Sequence, residues 1–306
     1  MHVDTTFVFA HSEPLSKIIF GLLKNVLQRH EMVSYALSGV LCFIQALLIN
    51  NLINENKILP KKNYVGGLLF IIVFSFFKES LVLSPASLAL TLIILSTQRI
   101  FSLIKKEKAT GDIFDVGFLL SVATLIYFPC IVLVVFAFAG VAIVRPFAYR
   151  EWAIVFVGLL SPFILLFTFY FWNDKTAMLF HDIANVHGKV WLKGPALLQT
   201  DWLLAGSLLV FILVSLVILP TALYSSLIQV RKFSTTLIVL IFLIGISFVL
   251  QQNKSLCHWA LLALPLSVIF SMVLIQIKNK LVSEVIHLML ILLVLAGQYL
   301  PMLGIL

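Results

Sequence analysis

Charge is what this sequence most lacks. Lys, Arg, Asp and Glu supply 11% of its 306 residues, and only 13 residues are acidic. A soluble domain carries about 25% charged residues, and a soluble chain of this length needs a wide polar surface that so few charges cannot cover. Cysteine is scarce as well: Cys42, Cys130 and Cys257 show neither zinc-site spacing nor an obvious disulfide framework. No Walker loop, nucleophile elbow or HExxH motif occurs, and no nucleic-acid module. The short alternating stretches of an outer-membrane barrel are missing too. Residues 1–31 lack the continuous apolar core of a cleavable signal peptide. The absence of internal repeats argues against an inverted-repeat transporter.

Apolar residues fill the space left. They make up 61% of the chain, with a mean hydropathy of +1.12. Continuous runs cover about 32–52, 64–77, 83–104, 116–128, 130–144, 152–172, 202–225, 233–250, 258–277 and 281–303. A spanning helix needs about 20 residues, so 64–77, 116–128 and 130–144 are short. The expected fold class is all-α: a polytopic transmembrane helix bundle of about 10 spans, several of them short, in one integral membrane domain over 1–306. Residues 14–29 add an amphipathic helix, with Leu15, Ile18, Ile19, Leu22, Leu23, Val26 and Leu27 on one face. It either lies in the membrane interface or packs on the bundle.

The basic residues set the topology, because Lys and Arg favour cytoplasmic loops. Five linkers are rich in them: Lys57/Lys61/Lys62, Lys105/Lys106/Lys108, Arg145/Arg150, Arg231/Lys232 and Lys278/Lys280. All five fall on one side only if 116–144 crosses twice, as a hairpin broken at Pro129. Both termini are then outside, as is the main polar loop 173–201. The expected location is a bacterial inner membrane, with the net charge of +8 serving topology and anionic lipid.

Candidate chemistry gathers on the outer side. Run 64–77 is too short to clear the bilayer, so Glu79, in the turn Phe77-Lys78-Glu79-Ser80, sits near the headgroups and partly desolvated, which suits base or ligand work. An exposed Glu79–Lys78 pair is the plainer alternative. Asp174 follows the aromatic end Phe169-Tyr170-Phe171-Trp172 and could equally be a helix-end cap. His181, Asp182 and His187 lack metal-ligand spacing, so no metal is expected. Lys189 and Lys193 could hold a phosphate or lie in a solvated loop. Arg99 is expected to snorkel toward headgroups, and Glu284 and His287, one turn apart near the start of the last helix, are read as an interfacial polar cluster, with a proton relay as the alternative.

Several motifs recur together: Phe76-Phe77-Lys78-Glu79-Ser80-Leu81 with Leu83-Ser84-Pro85, Ile113-Phe114-Asp115-Val116-Gly117-Phe118, Tyr127-Phe128-Pro129, Arg145-Pro146-Phe147 with Arg150-Glu151-Trp152, and Tyr170-Phe171-Trp172-Asn173-Asp174. Across this stretch the chain resembles an uncharacterised Bacteroidota family of polytopic inner-membrane proteins, a domain of unknown function. That family generally has one more hydrophobic segment ahead, which would make eleven spans. The order of segments also resembles, more loosely, the layout of GT-C glycosyltransferases. This second resemblance implies transfer of a sugar from a polyprenyl-phosphate donor on the outer face, in envelope glycan assembly. Glu79, Asp174 or Asp4 would then be catalytic carboxylates, with Lys78, Lys175, His181 and Lys189 holding phosphate or a lipid head. No Asp-Glu pair follows Asp4, a departure from that pattern. The expected partners are membrane lipid, polyprenyl phosphate among them, and envelope-complex proteins, with no nucleic acid and no cofactor. The other reading left open is a non-catalytic membrane scaffold or assembly subunit, and behind it a transporter.

Overall fold

The computed structural model describes residues 13–29, 31–187, 199–224, 226–251, 256–277 and 279–299. Among them are twelve α-helices and no strand. They are α1 (Pro14–Arg29), α2 (Glu31–Glu55), α3 (Val65–Phe74), α4 (Pro85–Ser102), α5 (Thr110–Ile126) and α6 (Leu133–Val144), then α7 (Tyr149–Trp172), α8 (Thr176–His187), α9 (Gln199–Tyr224), α10 (Ile228–Ser247), α11 (Ala263–Gln276) and α12 (Lys280–Tyr299). Seven stretches are helical, long and apolar enough to cross a membrane: Met32–Glu55, Pro85–Lys105, Tyr149–Trp172, Leu204–Thr221, Ile228–Leu250, Leu256–Gln276 and Leu281–Tyr299. The chain is a multi-pass membrane protein. The three runs too short by sequence are short helices here: α3, α5, and Phe128–Val144 with α6.

Four of the five basic linkers gather at one end of the bundle. Lys105 donates from Nζ to the Glu55 carbonyl, joining the ends of α2 and α4. The Arg145 guanidinium donates to the carbonyls of Lys106 and Glu107 at 3.0 and 2.8 Å. Those carbonyls precede α5 and Arg145 follows α6, so the chain leaves and returns to the same end. The hairpin inferred from charge is therefore present. Its break is Tyr127, extended at φ −141 and ψ 101, ahead of a 3-10 turn that has Pro129 at its start. Lys232 closes the same end by donating to the Val144 carbonyl at 2.9 Å.

Several of the motifs singled out by sequence do structural work. Ser84 and Ser87 form a capping box around Pro85, which starts α4 cleanly. Arg145 also pairs with Glu151 at 2.7 Å, while the Phe147 and Trp152 rings meet edge-on at 4.9 Å. This clasps the α6–α7 turn. The core helix is α11, buried from Ala263 to Leu274. In lipid, close packing rather than hydrophobicity drives helix association, and small residues make the approaches. A Cβ on Gly67 would lie 2.9 Å from the Ala46 carbonyl, and Asn50 of α2 accepts the Gly67 N–H at 2.8 Å. The amphipathic helix α1 forms as expected and docks through Phe20 against Val82 and Leu83, while Ile18 stays exposed.

Candidate functional site

The end opposite the basic linkers holds most of the polar groups the sequence points to. Glu79 lies in a 3-10 turn (Lys78–Leu81), which packs on α2 and on a second 3-10 turn, Leu256–Leu262. The Glu79 carboxylate accepts the Leu256 N–H at 2.7 Å, and the Cys257 thiol donates to the Glu79 carbonyl at 3.1 Å. A 3-10 turn opens with N–H groups that lack partners of their own. Glu79 supplies one from a distant segment, and a carboxylate there gains from charge-assisted bonding.

One residue further on, His258 is fully enclosed, at 2% exposure. Its Nδ1 lies 3.0 Å from the Tyr127 hydroxyl and its Nε2 3.0 Å from Ser247 Oγ. Ser247 spends its own proton on the Ile244 carbonyl at 2.8 Å, so its oxygen receives Nε2–H. Nδ1 must then accept from Tyr127, which assigns the tautomer from the bonding pattern. On the topology inferred from charge, His258 opens the run 258–277 at its outer end. The structure places it inside the bundle, tying the α5–α6 hairpin tip to α10 and the approach to α11. No local pattern links Tyr127 to His258, so nothing in the sequence could have found this tie.

Asp174 is exposed and has a left-handed backbone, φ 53. Its N–H bonds the Phe171 carbonyl at 3.1 Å, and the Lys175 N–H bonds the Tyr170 carbonyl at 2.9 Å. These two bonds are a Schellman motif that ends α7, the helix-end alternative of the sequence reading. Asp174→Gly is accordingly expected to stabilise by about 0.5–1 kcal/mol, since glycine takes this conformation without a Cβ penalty. Equilibrium unfolding in detergent checks it, and a destabilised variant would mean that the carboxylate itself contributes.

Lys78 is half-buried on the Glu79 turn, and Lys175 and His181 are exposed at and along α8. Asp4 and Lys189 lie outside the described residues. Glu79 and Asp174 are held by different elements: the Glu79 turn packs on α2 and the Leu256–Leu262 turn, whereas α7 packs on α5 and α8 on α1. Neither lines any of the three cavities described here. Among the described residues no group of three His, Cys, Asp or Glu could hold a metal. Glu284 and His287 line an apolar lateral cavity of about 920 Å³ between α12, α2 and α3.

Two sites escaped the sequence reading. Glu13, just ahead of α1, lines an apolar cavity of about 320 Å³ with Phe128 and Phe167, and burial pushes its carboxyl above the usual range. At the basic end, Arg99 does not reach out alone. Its guanidinium bridges Asp112 at 3.1 Å and Asp115 at 3.3 Å, and Lys106 meets the second Asp112 oxygen at 2.6 Å. The signal was available: Asp112 and Asp115 lie one turn apart at the start of α5, facing a cation at the end of α4. Compared with family models, curated proteins and solved structures, the chain finds no match.

Proposed function

We propose that the protein is a non-catalytic scaffold or assembly subunit of an envelope complex in a bacterial inner membrane. The observation that carries this reading is the bond from the Leu256 N–H to the Glu79 carboxylate. The strongest candidate base of a polyprenyl-phosphate sugar transferase is engaged in holding two segments together. Asp174, the second carboxylate of that chemistry, serves the end of α7. The outward faces of α7, α9 and α12 carry exposed Phe, Leu, Ile and Val, which suits lipid and the helices of a membrane partner.

Glu79→Gln and Glu79→Ala separate the readings. Glutamine keeps a carbonyl oxygen to accept the Leu256 N–H but cannot act as a base; alanine keeps neither. The scaffold reading expects Glu79→Gln to unfold within about 0.5 kcal/mol of wild type and Glu79→Ala to lose about 1–2 kcal/mol. Lipids co-purified in mild detergent are expected to be bulk phospholipid in all three. Polyprenyl-phosphate species retained by wild type and lost from a folded Glu79→Gln would overturn the reading in favour of the transferase.

A further inference from the structure

At the basic end, a cavity of about 580 Å³ opens between the end of α2, the last turns of α4 and the first turns of α5. Glu55, Gln98, Arg99, Lys105, Lys106 and Asp115 form its polar wall, and Leu95, Phe118 and Leu119 its apolar one. Arg99 lies six residues before Lys105, about 9 Å along the helix. The cavity therefore runs from the polar end of the bundle toward its apolar middle, with apolar side chains on the inner side.

The charges on this wall are unevenly matched. Arg99 and Lys106 are satisfied by Asp112 and Asp115. Lys105 is different: among the described residues its ammonium reaches only the Glu55 backbone carbonyl. The Glu55 carboxylate is different in the opposite sense. It takes neutral amide donors, Asn51 Nδ2 at 3.0 Å and Gln98 Nε2 at 3.4 Å. Among the described residues, then, one cation without a carboxylate and one carboxylate without a cation face the same cavity. A ligand of one sign would satisfy half of it and repel the other half. A zwitterion satisfies both.

We propose that this cavity is a binding site for an aminophospholipid, with a phosphoethanolamine head. The phosphate sits against Lys105 and the adjoining Arg99, and the primary ammonium donates to the Glu55 carboxylate. The acyl chains leave along Leu95, Phe118 and Leu119. The lipid source follows from that apolar wall, which a soluble zwitterion would leave uncovered. The site does not depend on the scaffold reading and would stand beside either function.

The test uses the full-length protein, delipidated in mild detergent and offered equal amounts of phosphatidylethanolamine, phosphatidylglycerol and phosphatidylcholine. Bound lipid is counted by native mass spectrometry. Phosphatidylethanolamine is expected to be retained over phosphatidylglycerol, which lacks the ammonium, and over phosphatidylcholine, whose quaternary head cannot donate to Glu55. Glu55→Gln, which keeps an acceptor for Asn51 and Gln98, is expected to weaken phosphatidylethanolamine about tenfold and leave phosphatidylglycerol unchanged. Lys105→Gln is expected to weaken both lipids. Lys108→Gln, exposed and outside the cavity wall, serves as the folded control and changes neither. Equal retention of the lipids by wild type, or a preference that survives Glu55→Gln, would overturn the site. Displacement of the lipid by soluble phosphoethanolamine at matching concentration would overturn the bilayer source.

Discussion

Gly158→Ala is expected to destabilise the protein by about 3 kcal/mol, among the largest effects of any single methyl group in the chain. A Cβ at Gly158 would stand 2.4 Å from the Phe114 carbonyl oxygen, and one at Gly117 would stand 2.5 Å from the Val155 carbonyl oxygen. Both obstacles are backbone, so no rotamer change relieves them, and α5 and α7 would have to separate along their crossing. That crossing also carries the bond from Ser121 Oγ to the Leu159 carbonyl at 2.7 Å, which separation would stretch. Gly117→Ala is expected to match it. Gly206 and Gly245 have open space where a Cβ would go, so alanine there is expected to be neutral or slightly stabilising. Equilibrium unfolding in detergent compares the four. A Gly158→Ala variant as stable as Gly245→Ala would show that the α5–α7 contact is not a tight one.

The second large effect is expected at His258. His258→Ala removes a buried ring and leaves the Tyr127 hydroxyl without its acceptor, for a combined cost of about 3–4 kcal/mol. Tyr127→Phe keeps the packing but orphans Nδ1, costing about 1–2 kcal/mol. Both changes break the same chain of bonds, so the double variant is expected to fall well short of the sum. Strict additivity, measured by the same unfolding experiment, would mean that the 3.0 Å contact between the two residues contributes nothing. The surrounding rings make the site sensitive: Phe248 lies 5.7 Å from His258 and 5.8 Å from Trp259, which in turn meets Phe77. Loosening His258 would therefore reach the Glu79 turn.

The candidate site was legible in its members but not in its connections. Glu79 is conspicuous because a carboxylate beside a run too short to span must sit near the membrane boundary. What it bonds to is set by a segment 177 residues away, and its proximity follows from how α4 packs against the Leu256–Leu262 turn. Asp174 shows the reverse. Its role is local, fixed by the end of α7 and one left-handed residue, and the aromatic run before it already allowed a helix-end reading. Arg99 falls between the two. Depth in the helix argued for a side chain reaching to headgroups, whereas the structure pairs it with two aspartates on the next helix.

By itself the sequence determined that the chain crosses a membrane repeatedly as helices, where those helices run, and that 116–144 doubles back. These are properties of composition and of local charge. Backbone groups in lipid must be paired within each segment, and basic residues must share one end, so both can be read without knowing any neighbour. Only the tertiary structure decided which helices touch, and therefore what Glu79, His258, Arg99 and Glu55 hold. In a bundle where almost every face is apolar, periodicity no longer marks the inward side. The pairing of helices then rests on glycine contacts such as Gly117 with Gly158 and on single polar bonds, and these exist only once the helices are assembled.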